Sequence, residues 1–214
     1  MIFKANARFL KLIEVTLQNK MGKVPVRSRI SKNTKNNRFD RSSFDRKKKN
    51  TTSRIKAALK KAITSKKGLT CEQILKLASS FSNFIGCFAQ DTIINLQFRT
   101  KPVYFLVNID SSGLNGSHWI AIGLFDELIE VFDPLGFKIF NWSSVPCSLL
   151  TFIHNYSANR KLLIADRVQS QNSLLCGFYC LFYVMKRSTL SLSQICSLFS
   201  KRLAENDKIL ATLF

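Results

Sequence analysis

The stretch "CGFYCLFYVM" at residues 176–185 consists of hydrophobic and aromatic residues and one glycine. A helix that is hydrophobic on all sides has to be buried on all sides. We therefore predict a central helix here, ending at the basic pair that follows at residues 186–187. The remaining elements of the fold must then be built around this helix, which sets the architecture that the rest of the chain has to supply.

Short runs of β-forming residues predict the strands of that architecture. "VYFLVNI" (103–109) and "KLLIAD" (161–166) are apolar and short enough to be strands. "HWIAIGLF" (118–125) and "LIEVFD" (128–133) flank the polar pair Asp126-Glu127, which predicts two antiparallel strands joined by a tight turn.

Helical periodicity predicts three further helices around the central one. "TCEQILKLASSFSNF" places apolar residues on one face after an N-cap at Thr70, and "VPCSLLTFIHNY" has Pro146 near the N-terminus of its predicted helix. "SLSQICSLFSKRLA" (191–204) is predicted to be the last helix. Together with the strands, these helices predict an α+β domain over residues 68–214, with a small, mostly antiparallel sheet packed against helices.

Positive charge is concentrated before this domain. Residues 1–67 carry 21 Lys and Arg against three acidic residues, a net charge of +18, whereas residues 68–214 have a net charge of +2. The segment 26–54 has few large apolar residues and dense positive charge, so we expect it to be disordered. "SRIKAALKKAITSKK" (53–67) has the spacing of a short basic helix. We therefore divide the chain into a basic, largely disordered extension (1–67) and a domain (68–214).

Several classes of protein are not expected from this sequence. It contains no run of 18 or more apolar residues, so we predict no transmembrane helix. The N-terminus lacks an apolar core followed by a small-residue cleavage site, so we do not expect secretion. The six cysteines are scattered without short-loop pairing, which predicts reduced thiols in the cytosol or nucleus.

Cys176 opens the predicted central helix, where it is either a buried filler or a nucleophile. Cysteine is among the most frequently buried residue types, which favours the first interpretation. The second is favoured by the positive end of the helix dipole, which stabilises a thiolate. Asn172 and Ser173 precede the helix and are suited to cap it, and Gly177 would leave room for a substrate backbone to approach.

A partner for such a thiol is sought among only two histidines. His154 lies within a predicted helix and is expected at the surface or its boundary. His118 stands at the entrance of a strand in "GSHWIAI", where a single histidine is more often structural. If the two strands form a hairpin, His118 lies opposite Asp133 of "VFDPLGF", whose carboxylate would orient and stabilise the imidazolium. Gln169, in the loop before the central helix, has an amide suited to hold an oxyanion.

Metal binding is not predicted. Cys180 lies one helical turn beyond Cys176, and no second Cys or His pair with zinc-ligand spacing accompanies them. We therefore expect neither a metal nor another cofactor, and we expect Cys180 and Cys196 to be core residues.

In chain order the candidate motifs are "GSHWIAI", "VFDPLG" and "QSQNSLLCGFYC". This order resembles the adenovirus protease (adenain) family and its relatives in Maverick/Polinton-type elements and, more distantly, the proteases that process ubiquitin-like proteins. The resemblance spans about residues 71–200 and implies an adenain-like cysteine protease fold with the nucleophile last. It implies His118 as the catalytic histidine, Asp133 as its acid, Gln169 as the oxyanion donor and Cys176 as the nucleophile.

Two departures limit what the resemblance implies. The adenovirus enzyme has Glu where this chain has Asp133, although the wider group uses Asp. The cysteine that bonds to an activating peptide in the adenovirus enzyme falls near Ala158, so we expect no disulfide-linked activator here. The segment "FIGCFAQDTI" (84–93) resembles one that precedes the first strand in Polinton-type members and shapes the substrate cleft.

The resemblance implies a monomeric cysteine endopeptidase that cleaves viral or mobile-element precursor proteins, after a small residue such as Gly, in the host nucleus or virion or alternatively in the cytoplasm. A second hypothesis is removal of ubiquitin-like modifiers from proteins. A third is a basic nucleic-acid-binding protein without catalysis, since residues 1–67 are suited to non-specific, salt-dependent DNA binding. A solvated basic tail without a partner is the alternative for that extension.

Overall fold

The computed structural model describes residues 3–4, 41–65, 67–98, 100–136 and 145–214. These residues form six strands: β1 (Phe3–Lys4), β2 (Phe84–Ala89), β3 (Val103–Asn108), β4 (Trp119–Leu124), β5 (Leu128–Phe132) and β6 (Lys161–Ile164). They also form six α-helices: α1 (Arg41–Ser65), α2 (Cys71–Ala78), α3 (Cys147–Ser157), α4 (Cys176–Lys186), α5 (Leu192–Ser197) and α6 (Asn206–Leu213). Short 3-10 turns lie at Ile93–Asn95 and Leu203–Glu205.

The six strands form one mixed sheet in the order β1-β6-β5-β4-β3-β2. The α+β class is confirmed, and the sheet is mixed, with three antiparallel and two parallel pairings. Strand β4 pairs antiparallel with both β3 and β5, and β1 pairs antiparallel with β6, whereas β2 runs parallel to β3 and β6 runs parallel to β5. The reason lies in the connections: the chain crosses through α3 between β5 and β6, and such a crossover returns the next strand in the same direction.

Both faces of the sheet are covered, which explains why every residue of β3 is buried. Its side chains alternate: Tyr104 and Leu106 face the layer that contains α4, and Phe105 and Val107 face the layer that contains α3. Helix α4 shares its side of the sheet with α1, α2, α5 and α6, whereas α3 covers the other face, and residues 178–183 of α4 are fully buried. The central helix predicted from its apolar sequence is therefore confirmed.

Helix α1 changes the predicted boundary of the domain. It begins at Arg41, inside the segment that was predicted to be disordered. In its later part Ile55, Leu59 and Ala62 are 0%, 1% and 7% exposed and belong to the same core as α4. The high charge of this region predicts an extension, but this stripe of buried apolar residues packs residues 51–65 against the domain. The rest of the predicted extension, residues 1–2, 5–40 and 66, lies outside the described residues.

Two other predicted elements differ from the structure. The last predicted helix ends at Ser197, and a separate helix, α6, follows a turn that Asn206 holds by hydrogen bonds with Ser200. The segment at residues 84–89 does not precede the first strand of the domain, because it is itself strand β2 at one edge of the sheet. In the described part of the chain, no helix is long and apolar enough to cross a bilayer.

A buried ion pair fastens the end of α4 to the sheet. Glu130 of β5 is 1% exposed, and Arg187 donates to its two carboxylate oxygens over 2.6 and 3.0 Å. The hydroxyl of Tyr183 donates to the same carboxylate over 2.8 Å. Since a buried carboxylate requires charge and hydrogen-bond compensation, these contacts fix the orientation of α4 on the sheet.

Candidate active site

The hairpin of β4 and β5 brings His118 and Asp133 together. The chain reverses where the backbone N–H of Phe125 donates to the carbonyl of Leu128, and β4 and β5 then pair antiparallel. His118 directly precedes β4 and Asp133 directly follows β5, so both stand at the same edge. The His118 Nε2 atom lies 2.7 Å from Asp133 Oδ1, and the two residues are 5% and 1% exposed.

The turn after β5 holds the Asp133 carboxylate in place. Its Oδ1 atom also accepts a hydrogen bond from the backbone N–H of Leu135, and its backbone carbonyl accepts one from Gly136. Gly136 has a φ of +83°, and a Cβ there would lie 2.9 Å from the Cβ of Arg167. Glycine is required at this position by both the left-handed backbone and the close approach of the loop at Arg167.

Cys176 supplies the third member of the arrangement. It is the first residue of α4 and is 7% exposed. Burial by itself would lower the pKa of His118, but hydrogen bonds to Asp133 and to Cys176, with the charges of both, raise it to about 9. Because Nε2 is engaged by Asp133, Nδ1 is the ring nitrogen left for the thiol. The imidazole therefore connects a buried carboxylate to a thiol at a helix N-terminus.

The loop before α4 is organised differently from the expected helix cap. Leu175 occupies the N-cap position and makes no side-chain capping bond. The Ser173 hydroxyl accepts a hydrogen bond from the Leu175 N–H over 3.2 Å and donates one to Asp207 Oδ1 over 2.9 Å. Ser173 thus shapes the loop, and the prediction that it caps the helix is wrong. The first N–H groups of α4 are left for partners outside the helix.

Gly177 is needed for packing, and the expected space for a substrate backbone is filled. A Cβ at Gly177 would lie 3.2 Å from the Cβ of Leu69 and 3.4 Å from Cδ1 of Trp119. The Trp119 indole N–H also donates to the Leu69 carbonyl over 2.8 Å. Because glycine has no side chain, the segment at Leu69 packs directly against the start of α4. Leu69 thus lies against both Trp119, which follows His118, and Gly177, which follows Cys176.

Gln169 lies beneath the loop that leads to Cys176 and is 0% exposed. Its Nε2 atom donates to the Ser173 carbonyl over 2.7 Å, and its backbone N–H donates to the Pro134 carbonyl over 2.8 Å. It does not line the open cleft, whereas Gln171 does. A primary amide carries two N–H groups, so Gln169 retains a second donor beyond the one that holds Ser173.

An open cleft of about 610 Å³ lies over His118 and Cys176. This volume falls in the range of functional binding clefts. The side chains of Leu114 and Leu174 line it and are 68% and 52% exposed. Further apolar residues, among them Phe88 and Leu135, also line it, and Asn108 is one of its polar residues. The cleft therefore offers both apolar contacts and hydrogen-bonding groups beside the sulfur.

Asp207 of α6 is a site-supporting residue that was not predicted from the sequence. It accepts hydrogen bonds from the Ser173 hydroxyl and from the Tyr179 hydroxyl, each over 2.9 Å. Burial, followed by the nearby Asp207 charge, raises the pKa of Tyr179. The only available signal was indirect: a tyrosine in an otherwise apolar helix needs a partner for its hydroxyl. Asp207 holds the loop before Cys176 against α4.

The other cysteine in α4 lies in the core, as predicted. Cys180 is 0% exposed, and burial raises its pKa well above the ordinary value. Cys196 is half-buried, and burial raises its pKa to about 11.

Within the described ranges, no group of three or more His, Cys, Asp and Glu side chains is placed to hold a metal ion.

Comparison with known proteins found no match to this chain among either protein-family models or curated proteins.

Proposed function

We propose that this protein is a cysteine endopeptidase in which Cys176 is the nucleophile, His118 the general base and acid, and Asp133 the carboxylate that orients and stabilises the imidazolium. The observation that carries the proposal is the double contact of one buried imidazole, with the carboxylate on one side and the thiol on the other, beside an open cleft. A cysteine that only filled the core would not require a histidine tied to a carboxylate.

The proposed reaction begins when Cys176 transfers its proton to His118 and the sulfur attacks the carbonyl carbon of the scissile peptide bond. The first N–H groups of α4 and the second amide N–H of Gln169 are the donors proposed for the resulting oxyanion. The imidazolium then protonates the leaving amine as the carbon–nitrogen bond breaks, which leaves a thioester. His118 deprotonates a water that attacks the thioester, so that the carboxylate product and the Cys176 thiol are released.

The raised pKa of His118 supports this sequence of proton transfers. With a pKa of about 9, the ring holds a proton at neutral pH when the thiol has given it up. Asp133 is buried and bonded to Nε2, so it stabilises the charged ring at the nitrogen that does not face the thiol. The proton on the other nitrogen is then available for the leaving amine.

Precursor or structural proteins of a virus or mobile element are the proposed substrates, cleaved in an extended segment that occupies the cleft. This choice rests on the resemblance of "QSQNSLLCG" to the adenain family. Removal of ubiquitin-like modifiers is the second candidate, since the same site would perform both reactions. Incubation with ubiquitin-like conjugates and with an unfolded protein substrate separates them, because only a general endopeptidase cleaves the second.

The direct test of the peptidase proposal compares three single variants of the full chain. Cys176→Ala and His118→Ala should each abolish cleavage of an unfolded protein substrate while circular dichroism and thermal unfolding remain cooperative. Cys147→Ser is the matched control, because this half-buried cysteine begins α3 on the other face of the sheet. Retained cleavage in either of the first two variants would refute the proposal.

We also propose that the basic N-terminal region holds the enzyme on DNA without sequence preference, consistent with a nuclear or virion location. In α1, the residues Arg54, Lys56, Lys60 and Lys61 are exposed, and the buried stripe faces the core. Substituting Lys56, Lys60 and Lys61 by Gln should weaken DNA binding and reduce its dependence on salt, because fewer counterions are released. An unchanged salt dependence would contradict DNA contact through α1.

A further inference from the structure

The wall of the cleft contains two cysteines that the proposed reaction does not use. Cys71 is the first residue of α2, and Cys87 lies within β2. Both line the cleft that contains Cys176, and their Sγ atoms lie 2.7 Å apart. Both are free thiols: Cys71 is exposed and Cys87 is partly buried. Two sulfurs from different elements are thus already in contact, and small molecules can reach the exposed sulfur of Cys71.

The surroundings of the pair place it at a structural junction. Cys71 follows Thr70, whose side chain forms a capping box with Gln73 at the start of α2. Two residues earlier, Leu69 packs over Gly177 and accepts the indole hydrogen bond of Trp119. A covalent bond at Cys71 would therefore join this segment to the edge strand β2 and fix one wall of the cleft.

We propose that Cys71 and Cys87 form a redox-responsive pair, which a low-molecular-weight disulfide such as oxidised glutathione converts into an intramolecular disulfide in the wall of the cleft. The exposed Cys71 thiolate attacks the oxidant, forms a mixed disulfide and releases one glutathione thiolate. Cys87 then loses its proton and attacks the Cys71 sulfur, which releases the second glutathione. One disulfide is consumed and one is formed, two reduced glutathione molecules leave, and the electrons balance.

The burial of Cys87 supports this order of events. Burial, then its hydrogen bond to Cys71 and the charge of that neighbour, raise the pKa of Cys87. Cys87 is therefore held as a thiol until its partner carries a leaving group. The accessible sulfur reacts first with the oxidant, and the protected one resolves the mixed disulfide.

The test equilibrates the full chain with oxidised and reduced glutathione, alkylates the remaining thiols and maps peptides by mass spectrometry. We expect a Cys71–Cys87 linked peptide that is lighter than the two reduced peptides by two hydrogen atoms. In Cys87→Ser, glutathione should remain attached to Cys71, because the resolving thiol is missing. Cys147→Ser is the control and should form the same link as the unmodified chain.

Thermal unfolding supplies a second measurement that does not depend on peptidase activity. Closing a loop of roughly 15 residues should raise Tm by about 6 to 12 °C on oxidation in the unmodified chain and leave Cys87→Ser unchanged. The proposal would be overturned if both thiols stayed alkylatable under oxidising conditions, if either paired with a different cysteine, or if Tm rose equally in Cys87→Ser.

Discussion

Replacing Asp133 by Asn removes the carboxylate that stabilises the His118 imidazolium while keeping nearly the same side-chain size. In the folded protein the pKa of His118 is about 9 against an ordinary 6.5, a preference for the charged ring of roughly 3 kcal/mol. Asp133 and Cys176 share this effect, and together they outweigh burial, which acts in the opposite direction. Losing the Asp133 charge should therefore lower the pKa of His118 by about one pH unit or more.

Nuclear magnetic resonance titration measures this directly, because the chain contains only two histidines. His154→Gln assigns the remaining imidazole signals to His118, and the titration is repeated in the double variant with Asp133→Asn. We expect a midpoint near pH 9 that falls on loss of the carboxylate. A His118 midpoint at or below 6.5 in the unmodified chain, or one that Asp133→Asn leaves in place, would show that the Asp133 carboxylate does not stabilise the imidazolium.

The same raised pKa makes folding stability depend on pH. A group whose pKa is higher in the folded state stabilises the protein fully below its unfolded pKa, here 6.5, and this stabilisation is lost as the pH rises through about 9. The free energy of unfolding should therefore fall between pH 6.5 and 9 in the unmodified chain. The free energy of unfolding of Asp133→Asn should fall less over this window. Urea unfolding at several pH values measures both.

Two further predictions concern the oxyanion donor and the buried ion pair. Gln169→Ala should lower kcat by about 10²-fold, because a donor to the oxyanion is lost. Gln171→Ala, also in the loop before α4, should change kcat little. Equal effects of the two substitutions on kcat in steady-state assays would contradict the role of Gln169 as an oxyanion donor. Glu130→Ala should destabilise the fold by about 3–5 kcal/mol in urea unfolding because it leaves the guanidinium of Arg187 without its partner. Exposed Glu127→Ala is the control for that loss and should cost less than about 0.5 kcal/mol.

Local patterns were sufficient to predict the hairpin that joins His118 and Asp133. Two strands joined by a two-residue polar turn pair antiparallel. The residues at the open end of the hairpin were therefore expected to be neighbours. The central helix was equally accessible, because a segment that is apolar on every side has to be buried. Both features depend on residues close together in the sequence.

Features that depend on packing between distant segments were not predictable. The stripe of Ile55 and Leu59 in α1 has helical spacing, but only the core it covers shows that α1 belongs to the domain. The space above Gly177 is filled by Leu69, which lies more than 100 residues earlier. Asp207 supports the loop before Cys176 from a helix whose own sequence carries no sign of that contact.

Activation of Cys176 by its contact with His118 should make this thiol react selectively with alkylating reagents. The full chain is treated with a substoichiometric thiol-directed irreversible inhibitor at neutral pH, and the modified cysteine is identified by peptide mapping. We predict modification mainly at Cys176, although this residue is only 7% exposed and Cys71 is more accessible, and we predict that His118→Ala removes the preference. Modification that follows exposure alone, with Cys71 reacting first and Cys176 unaffected by His118→Ala, would contradict the account.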